Sequence, residues 1–106
     1  MSYKKLVRDK IPEIIKQKEG KSCITRILDD KEYILELNRK IREELAEYLE
    51  SGEIEELADM EEVLRAILDY KGVSYDEFEK IRELKVEKRG AFKDRVYLEG
   101  IKDNEL

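Results

Sequence analysis

From position 31 onward, apolar residues recur at three- and four-residue intervals: Ile34, Leu37, Ile41, Leu45 and Tyr48. That spacing predicts a helix over about 31–50 with one buried stripe. Ser51-Gly52 interrupts the pattern and predicts a tight helix–helix turn. Leu57, Met60, Leu64, Ile67 and Leu68 then predict a second long helix over about 53–71, ended by Gly72. Ser74 with Glu77 three residues on is a capping-box pattern. It opens a third helix through Phe78, Ile81 and Leu84, which Gly90 stops. Ahead of these, Pro12 suits the start of a short helix running to about Lys18 and ending at Gly20. Residues 23–28 and 94–99 lack the helical period and are rich in β-branched and aromatic side chains. They predict two short strands, the two runs available to pair with each other. The tail from Gly100 is polar and reads as loose.

The fold class expected is all-α: an antiparallel helical hairpin, with at most two short strands, in one domain over residues 1–106. One neighbouring helix cannot cover the second long helix. Leu57, Met60, Val63, Leu64, Ile67, Leu68 and Tyr70 spread over more than a narrow stripe. A four-helix bundle completed by a second subunit is the simplest closed solution, so a homodimer or higher homo-oligomer is expected.

Polar positions interrupt the apolar stripes in an informative place. Between Glu43 and Glu62 the chain carries ten carboxylates, and no Lys or Arg occurs between Arg42 and Arg65. Glu44 falls inside the stripe of the first long helix, and Glu56 borders that of the second. An unpaired buried carboxylate is costly. The positive end of a helix dipole accounts for Glu53, Glu55 and Glu56 but not for Glu43, Glu44, Glu47 and Glu50, which crowd a helix C-terminal half. Lys40, one turn before Glu44, neutralises one of them at most. In a hairpin turning at Ser51-Gly52, Glu47 and Glu56 are level, and so are Glu44 and Asp59. The pairs lie about 6 Å and about 11 Å from the turn at 1.5 Å per residue. Spacing of three within each helix puts Glu44 with Glu47, and Glu56 with Asp59, on one face. Four converging carboxylates suit Mg²⁺, or Mn²⁺ in its place.

Composition narrows the chemistry further. The chain has no His, which excludes His-ligated zinc, the Glu-x-x-His di-iron pattern and a His general base. Cys23 is the single cysteine, so no internal disulfide forms. Charged residues make up 46% of the 106, and the net charge of −5 argues against a nucleic-acid binder. No secretory pattern opens the chain, and no apolar run nears the ~20 residues that span a bilayer. A cytoplasmic location without membrane attachment is expected.

Glu43-Glu44-x-x-Glu47 followed by Glu56-x-x-Asp59 resembles the EExxE…ExxD signature of the all-α, MazG-like nucleotide pyrophosphohydrolases. The closest likeness is to their small phosphoribosyl-ATP pyrophosphohydrolase-like branch. Its members open much like residues 5–12, Leu6-Val7-Arg8-Asp9-Lys10 included, and close much like Lys88-Arg89-Gly90-x-Phe92. The likeness runs from Tyr3 to about Leu98. Two departures stand out. Eight residues separate Glu47 from Glu56, fewer than in many relatives, and Glu61 sits where the family is expected to be apolar.

The resemblance implies Mg²⁺ ligation by Glu44, Glu47, Glu56 and Asp59. It implies Mg²⁺-dependent hydrolysis of a nucleoside triphosphate between the α- and β-phosphates, as in house-cleaning of (d)NTPs or non-standard nucleotides. Glu43 and Glu47 are the candidates to orient or deprotonate the attacking water. Lys85, Lys88, Arg89, Arg8 and Lys10 are the candidates to neutralise the phosphates, although cations also favour a helix C-terminus for structural reasons. Phosphoribosyl-ATP as the substrate is one alternative. A non-catalytic helical metal-binding or interaction module is the other. The residues that would recognise a base are not legible in the sequence.

Overall fold

The computed structural model describes residues 4–103. The resemblance's first residue, Tyr3, and the last three residues of the tail lie outside them. Four helices follow one another: α1 (Ile11–Glu19), α2 (Asp30–Ser51), α3 (Ile54–Lys71) and α4 (Tyr75–Arg89). The chain divides into two compact units, with the boundary between Val73 and Ser74.

In the first unit, α2 and α3 pack against each other. The Asp29 carboxylate starts α2 by accepting from the Glu32 N–H at 2.8 Å, which satisfies one of the orphan donors of the first turn. Gly52 ends it in a left-handed conformation, φ 68° and ψ 11°, and its N–H donates to the Tyr48 carbonyl at 2.7 Å. A residue with a Cβ is strained in that conformation. Gly52 and Glu53 alone link the two helices, which is why they fold back antiparallel. Tyr33 and Tyr70 meet edge to face, with ring centroids 6.0 Å apart, at the end of the hairpin far from the turn.

The buried seam is narrower than the apolar pattern suggests. Leu37 on α2 and Leu68 on α3 are the buried hydrophobic residues among those described. Ile34, Ile41 and Tyr48 are half-buried, but Leu45 and Leu57, assigned above to the stripes, are exposed. On α2 the seam runs Leu37, Ile41, Glu44, Tyr48, in steps of four, three and four. Glu44 takes the place in it that an apolar residue would otherwise hold.

The second unit contains α4. Its N-terminus is the capping box as read: the Ser74 hydroxyl accepts from the Glu77 N–H at 3.1 Å. No residue of α4 is buried.

The two expected strands are absent: residues 23–28 and 94–99 are irregular, and no strand occurs among the described residues. A strand needs a ladder for its backbone groups and a face to bury, and a lone two-stranded ribbon is marginal in water. Neither run buries a face here. Ile24 and Ile27 are exposed, as are Val96, Tyr97 and Leu98. Their β-branched composition reflects local propensity with no sheet to join.

Candidate metal centre

The hairpin brings Glu44, Glu56 and Asp59 together, with one carboxylate oxygen from each lying within 4.8 Å of the others. Two steps of the backbone produce this. The two-residue link sets the helices level, and the three-residue spacing of Glu56 and Asp59 turns both toward α2. Glu44 projects from the seam of α2 and is 94% buried, at 6% relative exposure. Its Oε2 has no hydrogen-bond partner. Its Oε1 lies 3.7 Å from Lys40 Nζ, a loose ion pair one turn away.

Glu47 stands alongside Glu44 and Glu56 at the solvent edge. Burial pushes the Glu44 carboxyl above the usual carboxylate range. Its Glu47 and Asp59 neighbours push it further, and Lys40 opposes them only in part. Desolvation likewise raises Glu56, aided by Glu47, Asp59 and Glu55. A raised carboxylate marks a place where negative charge is under-compensated.

The other predicted residues are distributed unevenly. Glu43 faces Lys40 at 3.5 Å and so reaches the cluster only through that shared ammonium. Arg8 donates from Nη2 to Asp59 Oδ1 at 2.7 Å, across 51 positions of sequence. Lys10 is exposed at the N-terminus of α1. Lys85, Lys88 and Arg89 are exposed on α4, in the second unit. Glu61, where an apolar residue was expected, is exposed and pairs with Arg65 at 3.4 Å.

The Arg8–Asp59 contact has no periodic signal that sequence reasoning could use. The same holds for the groove beside it, about 600 Å³, lined by Leu6, Val7, Pro12, Thr25, Leu28 and Tyr33 and by Arg8 itself.

The donor set fits a hard divalent cation. All its ligand atoms are carboxylate oxygens, and one is buried without a partner. An ion with bonds of about 2.1 Å separates its ligand oxygens by at most about 4.2 Å, so the 4.8 Å spread is slightly more open than a closed Mg²⁺ site. No helix among the described residues is long and apolar enough to cross a membrane. No protein-family model, curated protein or solved structure matches the chain, so the family likeness rests on the motif residues alone.

Proposed function

We propose that the chain is a Mg²⁺-dependent nucleoside triphosphate pyrophosphohydrolase of the MazG-like kind, cleaving between the α- and β-phosphates to give the monophosphate and pyrophosphate. The observation that carries this reading is Glu44: a buried carboxylate with an unpartnered oxygen, facing Glu56 and Asp59. Lys40 compensates Oε1 loosely and leaves Oε2 without a partner, a cost that a bound cation would offset.

In this reading Glu44, Glu56 and Asp59 hold the metal, with Glu47 beside them as a fourth ligand or as the base. Bound Mg²⁺ would supply Lewis-acid polarisation of phosphate oxygens and a more acidic water. Glu47 is exposed and next to two of the ligands, so it is placed to orient the attacking water and accept its proton. Glu43 supports the site through Lys40. Arg8 is within reach of the cluster and can exchange Asp59 for a phosphate oxygen, a bidentate partner for its guanidinium. Lys10, in the same unit as the cluster, remains a candidate for the outer phosphates.

A homodimer accompanies the proposal. Leu35, Leu45, Leu49, Ile54 and Leu57 are exposed on the hairpin, apolar surface that a second copy of the chain would cover.

The deciding experiment follows release of monophosphate and pyrophosphate with Mg²⁺ from dNTPs, modified NTPs and phosphoribosyl-ATP. Glu47→Gln is expected to lower the rate by about 10²–10⁴-fold. Release that is equal in the two proteins, or absent from every substrate, rejects the enzyme. The Arg8–Asp59 pair favours the second reading, a helical module whose acidic face is neutralised by its own Arg8 and Lys40. Titration with Mn²⁺ separates the enzyme from an interaction module of this kind, which has no use for the ion, and the release assay separates it from a module that holds metal without hydrolysis.

A further inference from the structure

With a cation bound, Glu44, Glu56 and Asp59 are committed to the metal and to the phosphates it holds, and they present no apolar face on which a base could rest. Building on the nucleotide reading above, we propose that the groove between residues 6–12, residues 25–28 and Tyr33 seats the nucleoside, and that Arg8 joins this pocket to the metal centre.

Size and lining both suit the occupant. The groove is open to solvent along one side, and its volume of about 600 Å³ is of the size of small-molecule sites, about 300–1,000 Å³. Leu6, Val7, Pro12, Ile27, Leu28 and Tyr33 give it a mostly apolar lining, with Thr25 among them. A few polar groups in an apolar wall are what a flat heterocycle and a sugar need. A second protein chain is a poorer fit, because Arg8, Asp9 and Arg26 also line the groove and burying them under a protein surface would desolvate three charges.

The walls are held in place although residues 25–28 have no regular structure. Arg26 grips Glu32 of α2 with two hydrogen bonds, at 2.6 and 3.1 Å. Tyr33 is braced edge to face by Tyr70. Cys23 Sγ lies 4.0 Å from the Pro12 carbonyl oxygen, which ties the segment to α1. Pre-formed walls lower the ordering cost of binding.

Position completes the case. Tyr33 precedes Glu44 by eleven residues on α2, about 16 Å along the helix. Arg8 belongs to both sites: it lines the groove and donates to Asp59 at 2.7 Å. A nucleotide laid along α2 places its phosphates at the cluster and its base toward Tyr33. Arg8 then stands where the two halves of the ligand join.

The test compares ligands with and without a base. Calorimetry with Mg²⁺ uses inorganic tripolyphosphate and the α,β-methylene analogues of ATP, GTP, CTP and dUTP, which cannot be cleaved at that bridge. At least one analogue is expected to bind wild type about tenfold or more tightly than tripolyphosphate, a difference of about 1.4 kcal/mol. Thr25→Trp, which fills the groove, should abolish that preference and leave tripolyphosphate affinity unchanged. Ile27→Ser should weaken it partly. Thr25 and Ile27 are both exposed, so neither change threatens the helices, and an unaltered circular dichroism spectrum and Mn²⁺ affinity verify this.

A preference that survives both substitutions overturns the pocket. So does its absence from wild type, or an equal fall for nucleotide and tripolyphosphate. Glu56→Gln reports on the metal reading separately. If it binds Mn²⁺ and tripolyphosphate as wild type does, the metal centre fails, while the groove is still judged by its effect on nucleotide preference.

Discussion

Leu37 and Glu44 lie two turns apart on the same seam of α2, and they are almost equally buried, at 3% and 6% relative exposure. Around Leu37 the seam is apolar, and burial itself holds the helices together. Around Glu44 it faces Glu56 and Asp59 and ends in an oxygen without a partner. One half of the hairpin gains stability from burial and the other gives some of it up. Natural sequences tolerate such a local conflict mainly at functional sites. In the proposed reading a cation would relieve the acidic half, and the apolar half supplies the surplus that makes the arrangement tolerable without one.

Opposite outcomes from two substitutions would break or sustain this contrast most clearly. Leu37→Ala should cost about 2–5 kcal/mol, the usual range for truncating a buried leucine. Glu44→Leu, in the absence of divalent ions, should stabilise by about 1–3 kcal/mol, the cost of a buried polar atom left without a partner, because Lys40 keeps Glu43 at 3.5 Å. Urea unfolding at neutral pH in chelator measures both. A Glu44→Leu protein less stable than wild type would mean that Lys40 satisfies Glu44 well enough to make it structural.

The next largest effect is that of the metal. Mg²⁺ at about one hundred times its dissociation constant should stabilise the wild type by about 2.7 kcal/mol through mass action, and Glu44→Leu by much less. Melting curves over a Mg²⁺ series check this, with equal shifts in both proteins as the contrary outcome.

Without metal the same contrast should follow pH. Burial and the Glu47 and Asp59 carboxylates hold Glu44 above its ordinary range against the pull of Lys40, and Glu56 is raised by burial and the same neighbours. In the unfolded chain both titrate near about 4.3. The folded state therefore binds these protons more tightly. The stability this confers is complete below the unfolded value and is lost as pH rises through the raised folded values. Glu32 acts in the opposite sense, since the Arg26 pair lowers it, so a difference measurement is needed. The melting temperature of Glu44→Gln minus that of wild type, in chelator, should grow as pH rises from about 4 to 7. A flat difference would mean that Glu44 carries no such strain.

Much of this is legible in the sequence. The helical period gave α2 and α3 nearly to their ends, because glycines and a cap punctuate the chain: Gly52, Gly72 and Ser74 mark boundaries where the pattern puts them. The meeting of Glu44, Glu56 and Asp59 followed from counting outward from the turn. Residues 23–28 and 94–99 were misread because β-branched composition reports a local preference, whereas a strand is completed by a partner elsewhere in the chain. Leu45 and Leu57 were misplaced for a related reason: apolar identity was taken as burial, while the seam's own register puts Glu44 and Glu56 nearer the partner helix. The groove and Arg8 stayed invisible because they depend on how irregular segments fold over α2, and no period records that.

Arg8 provides the smallest effect and the finest probe of the acidic half. Its pair with Asp59 is short, at 2.7 Å, but the two side chains are 56% and 39% exposed. Water and salt screen such a pair, so Arg8→Gln should cost only about 0.2–1 kcal/mol, and less at high salt. Its effect on metal affinity should run the other way. Arg8 donates to the same carboxylate that the proposed ion would use, so guanidinium and cation compete for Asp59, and removing Arg8 frees that ligand. Mn²⁺ should therefore bind Arg8→Gln more tightly than wild type when no nucleotide is present. With tripolyphosphate bound the order should invert, because the phosphates lose the guanidinium that helps to neutralise them. Calorimetric Mn²⁺ titrations of both proteins, with and without tripolyphosphate, read the two signs directly. A change of the same sign in both conditions would show that Arg8 only tunes the general field around α3 and does not pass between Asp59 and a phosphate.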